Sequence, residues 1–369
     1  MTYIVRFVNY PEHYRRIWDE TRTAIDDCLI HGDLIMRQQM EDFEASLASF
    51  VGVKHAIALN SGTDALFFSL KAAGVKPGDE VITVSHTFVA TIAAIHYCGA
   101  KPVLVDTCND MNMDPRLIEK AVTKHAKAII PVHLNGRICD MKPILEIAEK
   151  HGLKVIEDAA QSLGAKYDGK MGGSMGITGC FSFYPAKILG CAGDGGALVT
   201  SDDKIAREAR LLRDHGYVRA TGEIAMYGYN SRLDNLQAAM LNVKLRFLPS
   251  WIERRREIAR MYHEELGKIA GITLQPHPDE NPRFYDAFQN YVIRSNMRDK
   301  LVQHLRDEGV EVLISWPIPT HFHKALNLSQ FKLPETENLS RTVISLPMFP
   351  ELSDEHVNIV IQKIREFYS

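Results

Sequence analysis

Short apolar runs alternate with amphipathic segments from about residue 54 to residue 201. Runs of this length between turn signals are typical of buried strands, and segments such as Asp64–Ala73 and Met141–His151 have the spacing of crossover helices. The predicted strands are His55–Asn60, Glu80–Val84, Pro102–Asp106, Ala128–His133, Lys154–Asp158, Cys180–Tyr184 and Ala197–Ser201. This alternation predicts an α/β domain built on a mostly parallel sheet.

The pattern changes after Asp202, where longer helical stretches begin. We predict helices at Lys204–Asp214 and Leu233–Lys268, and we expect the second to break near Pro249 because proline disrupts a helix interior. The last part of the chain predicts strands at Gln289–Arg294 and Val310–Ser315 and helices at Met297–Glu308 and Asp354–Tyr368. The sequence therefore predicts a large α/β domain over residues 1–245 and a small α+β domain over residues 246–369.

Charge and composition argue against several classes of protein. The chain carries a formal net charge of -3, so no broad positive field attracts nucleic acid or an anionic membrane. It has no uncharged apolar stretch of about 18 residues, and Met1–Arg6 does not resemble an export signal, so we expect a cytoplasmic protein. The six cysteines show neither CxxC nor zinc-type spacing, so we expect free thiols and no metal site.

The residues that follow the predicted strands form a candidate site, because ligands bind outside the carboxyl ends of strands in open α/β sheets. Asn60–Leu66 is a small-residue turn that opens a helix, whose free N–H groups and dipole can hold a phosphate. Ordinary helix capping by Ser61 or Thr63 is the alternative interpretation.

Two further strand ends carry side chains suited to a planar ligand. His86 and Phe88 follow the second strand, where a ring can stack on a ligand or pack into the core. Asp158 ends the fifth strand, where it can pair with a ring nitrogen or serve only as a helix cap.

Lys187 follows the sixth predicted strand, within an apolar and turn-rich segment. Lysine is seldom buried without a partner, and burial lowers the pKa of its amine and makes it a nucleophile. A lysine that extends from a surface loop into solvent is the alternative, which the Gly-rich turn after Lys187 disfavours.

Six segments in this order resemble the DegT/DnrJ/StrS family of pyridoxal-phosphate-dependent nucleotide-sugar aminotransferases. They are Ser61–Leu66, Pro131–Gly136, Glu157–Ser162, Ser182–Gly190, Gly228–Leu233 and Ser345–Leu352. The resemblance extends from about Arg37 to Glu366 and implies the aspartate-aminotransferase-like fold, fold type I of pyridoxal-phosphate enzymes.

The resemblance also implies roles for individual residues. Lys187 is the implied Schiff-base lysine and acid/base, and Asp158 is the implied partner of the protonated pyridine nitrogen. The other implied cofactor contacts are Gly62, Thr63 and Ser182 at the phosphate, Phe88 on the ring, Gln161 at the ring hydroxyl, and Asn230 at the phosphate of the neighbouring subunit. The active sites are therefore expected to be shared within a homodimer.

The substrates implied by the resemblance are an L-amino acid, usually glutamate, and a nucleotide-linked 3-keto or 4-keto sugar. The product would serve amino-sugar synthesis for surface polysaccharide such as lipopolysaccharide O-antigen. We expect substrate contacts from His86, Tyr184 and His321. Tyr184 stands where relatives often carry His or Phe, and Ile188 where they usually carry Asn, so the sugar stays open.

Three alternatives compete with transamination. Related sugar dehydratases of the same fold carry His in place of the Schiff-base lysine, so Lys187 disfavours a dehydratase. A nicotinamide dehydrogenase is disfavoured because the chain contains no GxGxxG. A regulatory protein that keeps the fold without the chemistry stays open.

Overall fold

A computed structural model describes residues 3–369. The segment in which we expect no export signal begins with Met1 and Thr2, and these two residues lie outside the described part of the chain. The strands are β1 (His55–Leu59), β2 (Glu80–Val84), β3 (Lys101–Val105), β4 (Ala126–Ile129), β5 (Lys154–Asp158), β6 (Lys166–Tyr167), β7 (Lys170–Met171), β8 (Thr178–Ser182), β9 (Gly196–Thr200), β10 (Tyr217–Val218), β11 (Glu223–Ile224), β12 (Ile272–Leu274), β13 (Phe284–Tyr285), β14 (Tyr291–Ser295) and β15 (Val343–Leu346). The helices are α1 (Tyr10–Arg16), α2 (Trp18–His31), α3 (Gln38–Val51), α4 (Gly62–Ala72), α5 (Val89–Tyr97), α6 (Pro115–Ala121), α7 (Met141–His151), α8 (Asp203–Arg213), α9 (Asn235–Leu266), α10 (Arg298–Asp307), α11 (Pro334–Thr342) and α12 (Asp354–Tyr368).

The largest sheet has seven strands in the order β1-β9-β8-β5-β4-β2-β3. Neighbours pair in parallel except at β9, which runs antiparallel to both β1 and β8. The mostly parallel α/β sheet predicted from the sequence is therefore confirmed. The carboxyl ends of β2, β4, β5 and β8 meet at one edge of this sheet, which is where ligands bind in such folds.

Helices cover both faces of this sheet, so its strands are apolar on both sides. Alternate residues of one strand enter different buried clusters: Ile82 of β2 packs in one cluster and Val81 in the other. The first cluster also holds Phe43 of α3, and the second holds Phe68 of α4. This two-sided burial explains why the strands could be recognised as continuous apolar runs.

A smaller antiparallel sheet has the order β12-β14-β15. The predicted strand at Gln289–Arg294 corresponds to β14, but the predicted strand at Val310–Ser315 is wrong. That segment forms only isolated bridges, from Val310 to Val5 and from Leu313 to Ser345. Because its two ends pair with different parts of the chain, no continuous ladder develops, and the segment instead lies along the cavity described below.

The expected break of the long helix near Pro249 is also wrong, because α9 continues through the proline. A proline within a helix costs about 3 kcal/mol. Leu248, Trp251 and Ile252 lie beside it and are buried in the first cluster. Burial of such side chains contributes about 1.5–3 kcal/mol each, which is enough to offset the cost.

Helix α9 also spans the predicted domain boundary at residue 245. Its first half contributes Leu241 to the cluster under the large sheet, and its second half contributes Ile258 and Tyr262 to a separate cluster. That separate cluster contains Val5 and residues between Ile258 and Ile364. The division at residues 245 and 246 stays a prediction.

Two expectations from composition concern cysteines and membrane spans. All six cysteines are free thiols in the structure, as expected. Among the described residues, none of the helices combines the length and the apolar character that crossing a membrane requires.

Candidate active site

A cavity of about 630 Å³ opens at the carboxyl ends of the parallel strands. Eight predicted site residues line it: Gly62, Thr63, Phe88, Asp158, Gln161, Ser182, Tyr184 and Lys187. Distant parts of the chain also line the cavity, namely Phe7–Val8 and Leu313–Trp316. The structure thus brings together most of the residues that the strand ends suggested.

The first turn of α4 lines the cavity and has the features of an anion-binding site. Ser61 caps the helix by accepting a hydrogen bond from the N–H of Asp64 at 3.1 Å. The first N–H groups of a helix lack intrahelical partners and favour a negative charge. A Cβ on Gly62 would lie 2.9 Å from the Cβ of Ser182, so glycine lets the helix approach β8 closely. Capping and anion binding are therefore compatible here.

Asp158 is buried at the end of β5, beneath the cavity. Its Oδ2 accepts a hydrogen bond from Thr91 Oγ1 at 2.8 Å, and its Oδ1 accepts one from the N–H of Ala160 at 3.2 Å. Burial raises the pKa of this carboxyl, while the two hydrogen bonds and the charge of Lys187 oppose the rise. A proton on a neighbouring ring nitrogen would complete the ion pair that this buried acid needs.

Thr91 is the partner of Asp158, and the sequence analysis did not identify it. Its hydroxyl is also 2.7 Å from that of Thr87, and both side chains are buried. Because the Thr91 hydroxyl donates to Asp158, the Thr87 hydroxyl donates to Thr91. The spacing of four residues at the start of α5 was a signal that could have revealed this pair.

Lys187 lies in the turn between β8 and β9, and burial lowers the pKa of its amine to about 8, with the charge of Asp158 opposing the shift. The backbone N–H of Lys187 donates to the carbonyl of Tyr184 at 2.8 Å. The neutral amine is therefore accessible near physiological pH, as a nucleophile or proton carrier requires.

Gln161 is fixed at the cavity wall by a second loop. Its Oε1 accepts a hydrogen bond from the N–H of Asn135 at 2.8 Å, which orients the side-chain NH2 group as a donor. Asn135 adopts a positive φ of 57°, a conformation that asparagine tolerates better than most residues. Gln161 can thus donate to a ring substituent of a ligand.

Two aromatic residues stand at the mouth of the cavity. Phe88 is 61% exposed and Tyr184 is 55% exposed, although both line the wall. A ring left this open can stack on a planar ligand or contact a second molecule.

The structure does not bring His86 or His321 into the cavity wall. His86 is buried against Trp316, and burial lowers the pKa of its ring to about 4. His321 is fully buried, with its Nδ1 2.7 Å from Ser85 Oγ, and burial lowers the pKa of its ring as well. Neither histidine lines the cavity, and their contact with substrate stays a prediction.

Asn230 lies outside the cavity of its own chain, among the described residues. Its side chain is exposed and accepts a hydrogen bond from Arg232 Nη2 at 2.9 Å, and its backbone pairs with Asp214. The turn Gly228–Leu233 does not cap α9. The N-cap residue of α9 is Asp234, whose side chain makes no capping hydrogen bond.

The arrangement suits a flat, phosphorylated pyridine aldehyde such as pyridoxal phosphate. The start of α4 with Ser182 fits the phosphate, Asp158 fits the ring nitrogen, and Lys187 fits the aldehyde. A Cβ at Gly62 would press on Ser182 and Phe181 of β8, so glycine lets the start of α4 lie against Ser182 at the end assigned to the phosphate.

Several known proteins are similar to this chain over nearly its whole length. The profile of the DegT/DnrJ/EryC1/StrS aminotransferase family matches residues 16–365. The chain is similar to a pleiotropic regulatory protein of Geobacillus stearothermophilus, with 42% identity over 99% of this chain and 98% of that protein. It is similar to the UDP-N-acetyl-3-dehydro-alpha-D-glucosamine 3-aminotransferase of Acidithiobacillus ferrooxidans, with 41% identity over 98% and 97%. The crystal structure of S. venezuelae DesV in complex with a ketimine intermediate superposes with a TM-score of 0.96, at 38% identity and over 100% of this chain and 99% of that chain.

Proposed function

Because the chain belongs to the DegT/DnrJ/EryC1/StrS aminotransferase family, whose enzymes use pyridoxal phosphate, we propose that it transfers the amino group of L-glutamate to a nucleotide-linked 3-keto sugar. The observation that carries this proposal is one cavity wall shared by the start of α4, the buried Asp158 and the low-pKa amine of Lys187. These three features match the phosphate, ring nitrogen and aldehyde of the cofactor.

The chemistry assigned to the residues follows from their surroundings. Bound pyridoxal phosphate supplies an electron sink for the negative charge left when a proton leaves the donor carbon. Ionised Asp158 keeps a proton on the ring nitrogen, and the hydrogen bonds from Thr91 and Ala160 favour its ionised form. Nζ of Lys187 removes the proton from the α-carbon of glutamate and later delivers one to the sugar carbon that receives the amino group.

The 3-keto position rests on the relative from Acidithiobacillus ferrooxidans, whose name specifies a 3-dehydro sugar and a 3-aminotransferase. The cavity wall contains no arginine among the described residues that form it. The neutral keto group of a sugar does not need an arginine to bind it. The carboxylates of glutamate do need donors, which we assign to backbone N–H groups and to the partner subunit.

The test is a product screen with purified protein. The enzyme with pyridoxal phosphate and L-glutamate is offered UDP-, dTDP- and GDP-linked sugars that carry the keto group at C-3 or at C-4. We expect an amino sugar and an equal amount of 2-oxoglutarate from a 3-keto compound, and none from the Lys187→Ala variant. Turnover of 4-keto sugars alone would contradict the assigned position.

We also propose a homodimer with shared sites, in keeping with an Asn230 that is exposed and outside its own cavity. Phe88 and Tyr184 at the cavity mouth are more than half exposed, and Tyr227, which precedes Asn230 by three residues, is 98% exposed. A second copy of the chain would cover these rings and bring its Asn230 to the phosphate. Such a homodimer would act in the cytoplasm, where the sequence led us to expect the protein.

Subunit exchange tests the shared site. Inactive Lys187→Ala chains are mixed with inactive Asn230→Glu chains, whose added charge repels a phosphate. A hybrid dimer with shared sites has one site with both defects and one intact site, so each hybrid dimer should regain up to half of the wild-type activity. A mixture of Lys187→Ala with Asp158→Asn is the control, because every hybrid site then keeps one defect. Hybrids without activity would mean that Asn230 serves its own chain.

A regulatory protein without catalysis is the second candidate, since the relative from Geobacillus stearothermophilus is described as a pleiotropic regulatory protein. The presence of both Lys187 and Asp158 in the cavity favours an enzyme. Spectroscopy separates the two: an enzyme absorbs in the visible range with its cofactor and loses that band on borohydride reduction. Absence of the band at saturating pyridoxal phosphate would favour the regulatory candidate.

A further inference from the structure

The turn that carries Lys187 has no regular secondary structure between the end of β8 at Ser182 and the start of β9 at Gly196. Its backbone N–H and C=O groups must therefore find partners outside a helix or a ladder. The far end of the turn is held by Lys244 of α9, whose Nζ donates to the carbonyl of Gly190 at 2.6 Å. The part nearest to the reactive amine needs a separate anchor.

Gln289 provides that anchor through one side-chain amide. Its Nε2 donates to the carbonyl of Ala186 at 2.7 Å, and its Oε1 accepts from the N–H of Ile188 at 2.9 Å. The two peptide groups that flank Lys187 are thus bound by a single planar group, as neighbouring strands bind each other in a ladder. Gln289 is buried, so water does not compete strongly for these bonds.

The backbone of Gln289 is itself fixed. Arg255 of α9 is buried and donates to the carbonyls of Phe288 and Gln289 at 3.1 and 3.2 Å. The N–H of Ala287 donates to the carbonyl of Gly136 at 2.8 Å. A Cβ on Gly136 would lie 2.5 Å from the backbone nitrogen of Gln289, so the two segments are in close contact. The anchor therefore has a rigid base.

A lysine that serves first as the attachment point and then as a proton carrier loses its covalent restraint during the reaction. Its side chain has four rotatable bonds, so only a fixed backbone keeps Nζ within reach of the donor carbon. We propose that Gln289 is a positioning residue, which holds the backbone of Lys187 so that the released amine stays aligned for proton transfer. The proposal rests on the function proposed above for Lys187.

The test compares Gln289→Leu with Gln275→Leu. Gln275 is a matched control, because it is equally buried and its Oε1 accepts from the N–H of Val292 at 2.8 Å, in the sheet formed by β12, β14 and β15. Gln289→Glu is a milder variant that keeps the acceptor for Ile188 and loses the donor for Ala186. If Gln289→Leu does not fold, Gln289→Glu carries the test.

Three measurements are made on each variant. Hydrogen–deuterium exchange of the cofactor-free protein should become faster in residues 184–191 for Gln289→Leu and stay unchanged there for Gln275→Leu. The kcat should fall between about tenfold and about a hundredfold for Gln289→Leu, as expected for a misplaced catalytic group, while KM for glutamate changes little. Borohydride should still trap the cofactor on Lys187, because attachment needs less precise alignment than proton transfer.

The results separate this proposal from the proposed function. Equal exchange, kcat and thermal stability in the two leucine variants would overturn the positioning role. A higher KM for glutamate in Gln289→Leu, with kcat unchanged, would overturn it too, because that result indicates a binding role. Failure to trap any cofactor on Lys187 in the wild-type protein would instead overturn the function on which the proposal rests.

Discussion

Replacing Thr91 by valine removes one hydrogen bond from Asp158 and leaves the shape of the side chain almost unchanged. The bond that is lost runs from Thr91 Oγ1 to Asp158 Oδ2 at 2.8 Å. Burial already raises the pKa of this carboxyl, and the hydrogen bond from Thr91 is the first of the effects that oppose the rise. Thr91→Val should therefore raise the pKa further and weaken the hold of Asp158 on a proton of the ring nitrogen.

The size of the effect follows from the type of bond. A hydrogen bond to a charged group contributes about 1.5–3 kcal/mol, which corresponds to a loss of about tenfold to about 150-fold in kcat/KM. Thr87 adds to the loss, because its hydroxyl keeps no acceptor at Thr91 once that residue is valine. We expect Thr91→Val to fold, because valine has nearly the volume of threonine.

The assay is kcat/KM for amino-sugar formation as a function of pH. Asp158 is active when ionised, so a raised pKa should move the acidic limb of the profile to higher pH in Thr91→Val. Thr91→Ser, which keeps the hydroxyl, should restore most of the activity. Thr21→Val is the control: Thr21 is another buried helix threonine, and its hydroxyl donates to the carbonyl of Ile17 at 2.7 Å, outside the cavity.

A Thr91→Val enzyme with wild-type kcat/KM and an unmoved acidic limb would refute the reasoning. An equal loss of activity in Thr21→Val would refute it as well, because the loss would then reflect general destabilisation.

Four other predictions concern the same cavity. Lys187→Ala should fold, bind pyridoxal phosphate reversibly and lose the borohydride-trapped adduct in a mass spectrum; a retained adduct would contradict the role of Lys187. Asp158→Asn should keep the cofactor by absorbance yet lose on the order of a thousandfold in kcat, and near-wild-type turnover would leave Asp158 only a cap. The rate of cofactor attachment to the cofactor-free protein should rise as the pH passes about 8, because the pKa of Lys187 is lowered to that value and only the neutral amine attacks; a rate independent of pH would contradict this. Gly62→Ala places a Cβ 2.9 Å from Ser182 Cβ and should weaken cofactor binding about tenfold in an absorbance titration. Unchanged affinity would contradict this, because it would show that the contact with Ser182 relaxes without disturbing the site.

The large sheet was predictable because its strands are buried on both faces. Glu80–Val84 and Lys154–Asp158 each hold a buried apolar pair, Val81–Ile82 and Val155–Ile156, and both have the predicted bounds in the structure. Parallel strands place their carboxyl ends together, so Asp158 and Lys187 could be assigned to one site from their order along the chain.

Contacts between distant segments were not predictable. Gln289 lies 101 residues beyond Ile188, and its bonds to Ala186 and Ile188 depend on how the turn folds against β14. The hydrogen bond that holds the buried His321 joins it to Ser85, 236 residues earlier in the chain. Pro249 was misjudged because tertiary burial beside it outweighs the local cost of proline.

The location of the covalent cofactor adduct tests the central claim most directly. The protein loaded with pyridoxal phosphate is reduced with borohydride and digested, and the modified peptide is sequenced by mass spectrometry. Lys244 is a natural rival, because burial lowers the pKa of its amine to about 8 as well. We predict a single adduct on Lys187; an adduct on Lys244 or on another lysine would contradict the assignment of the active site.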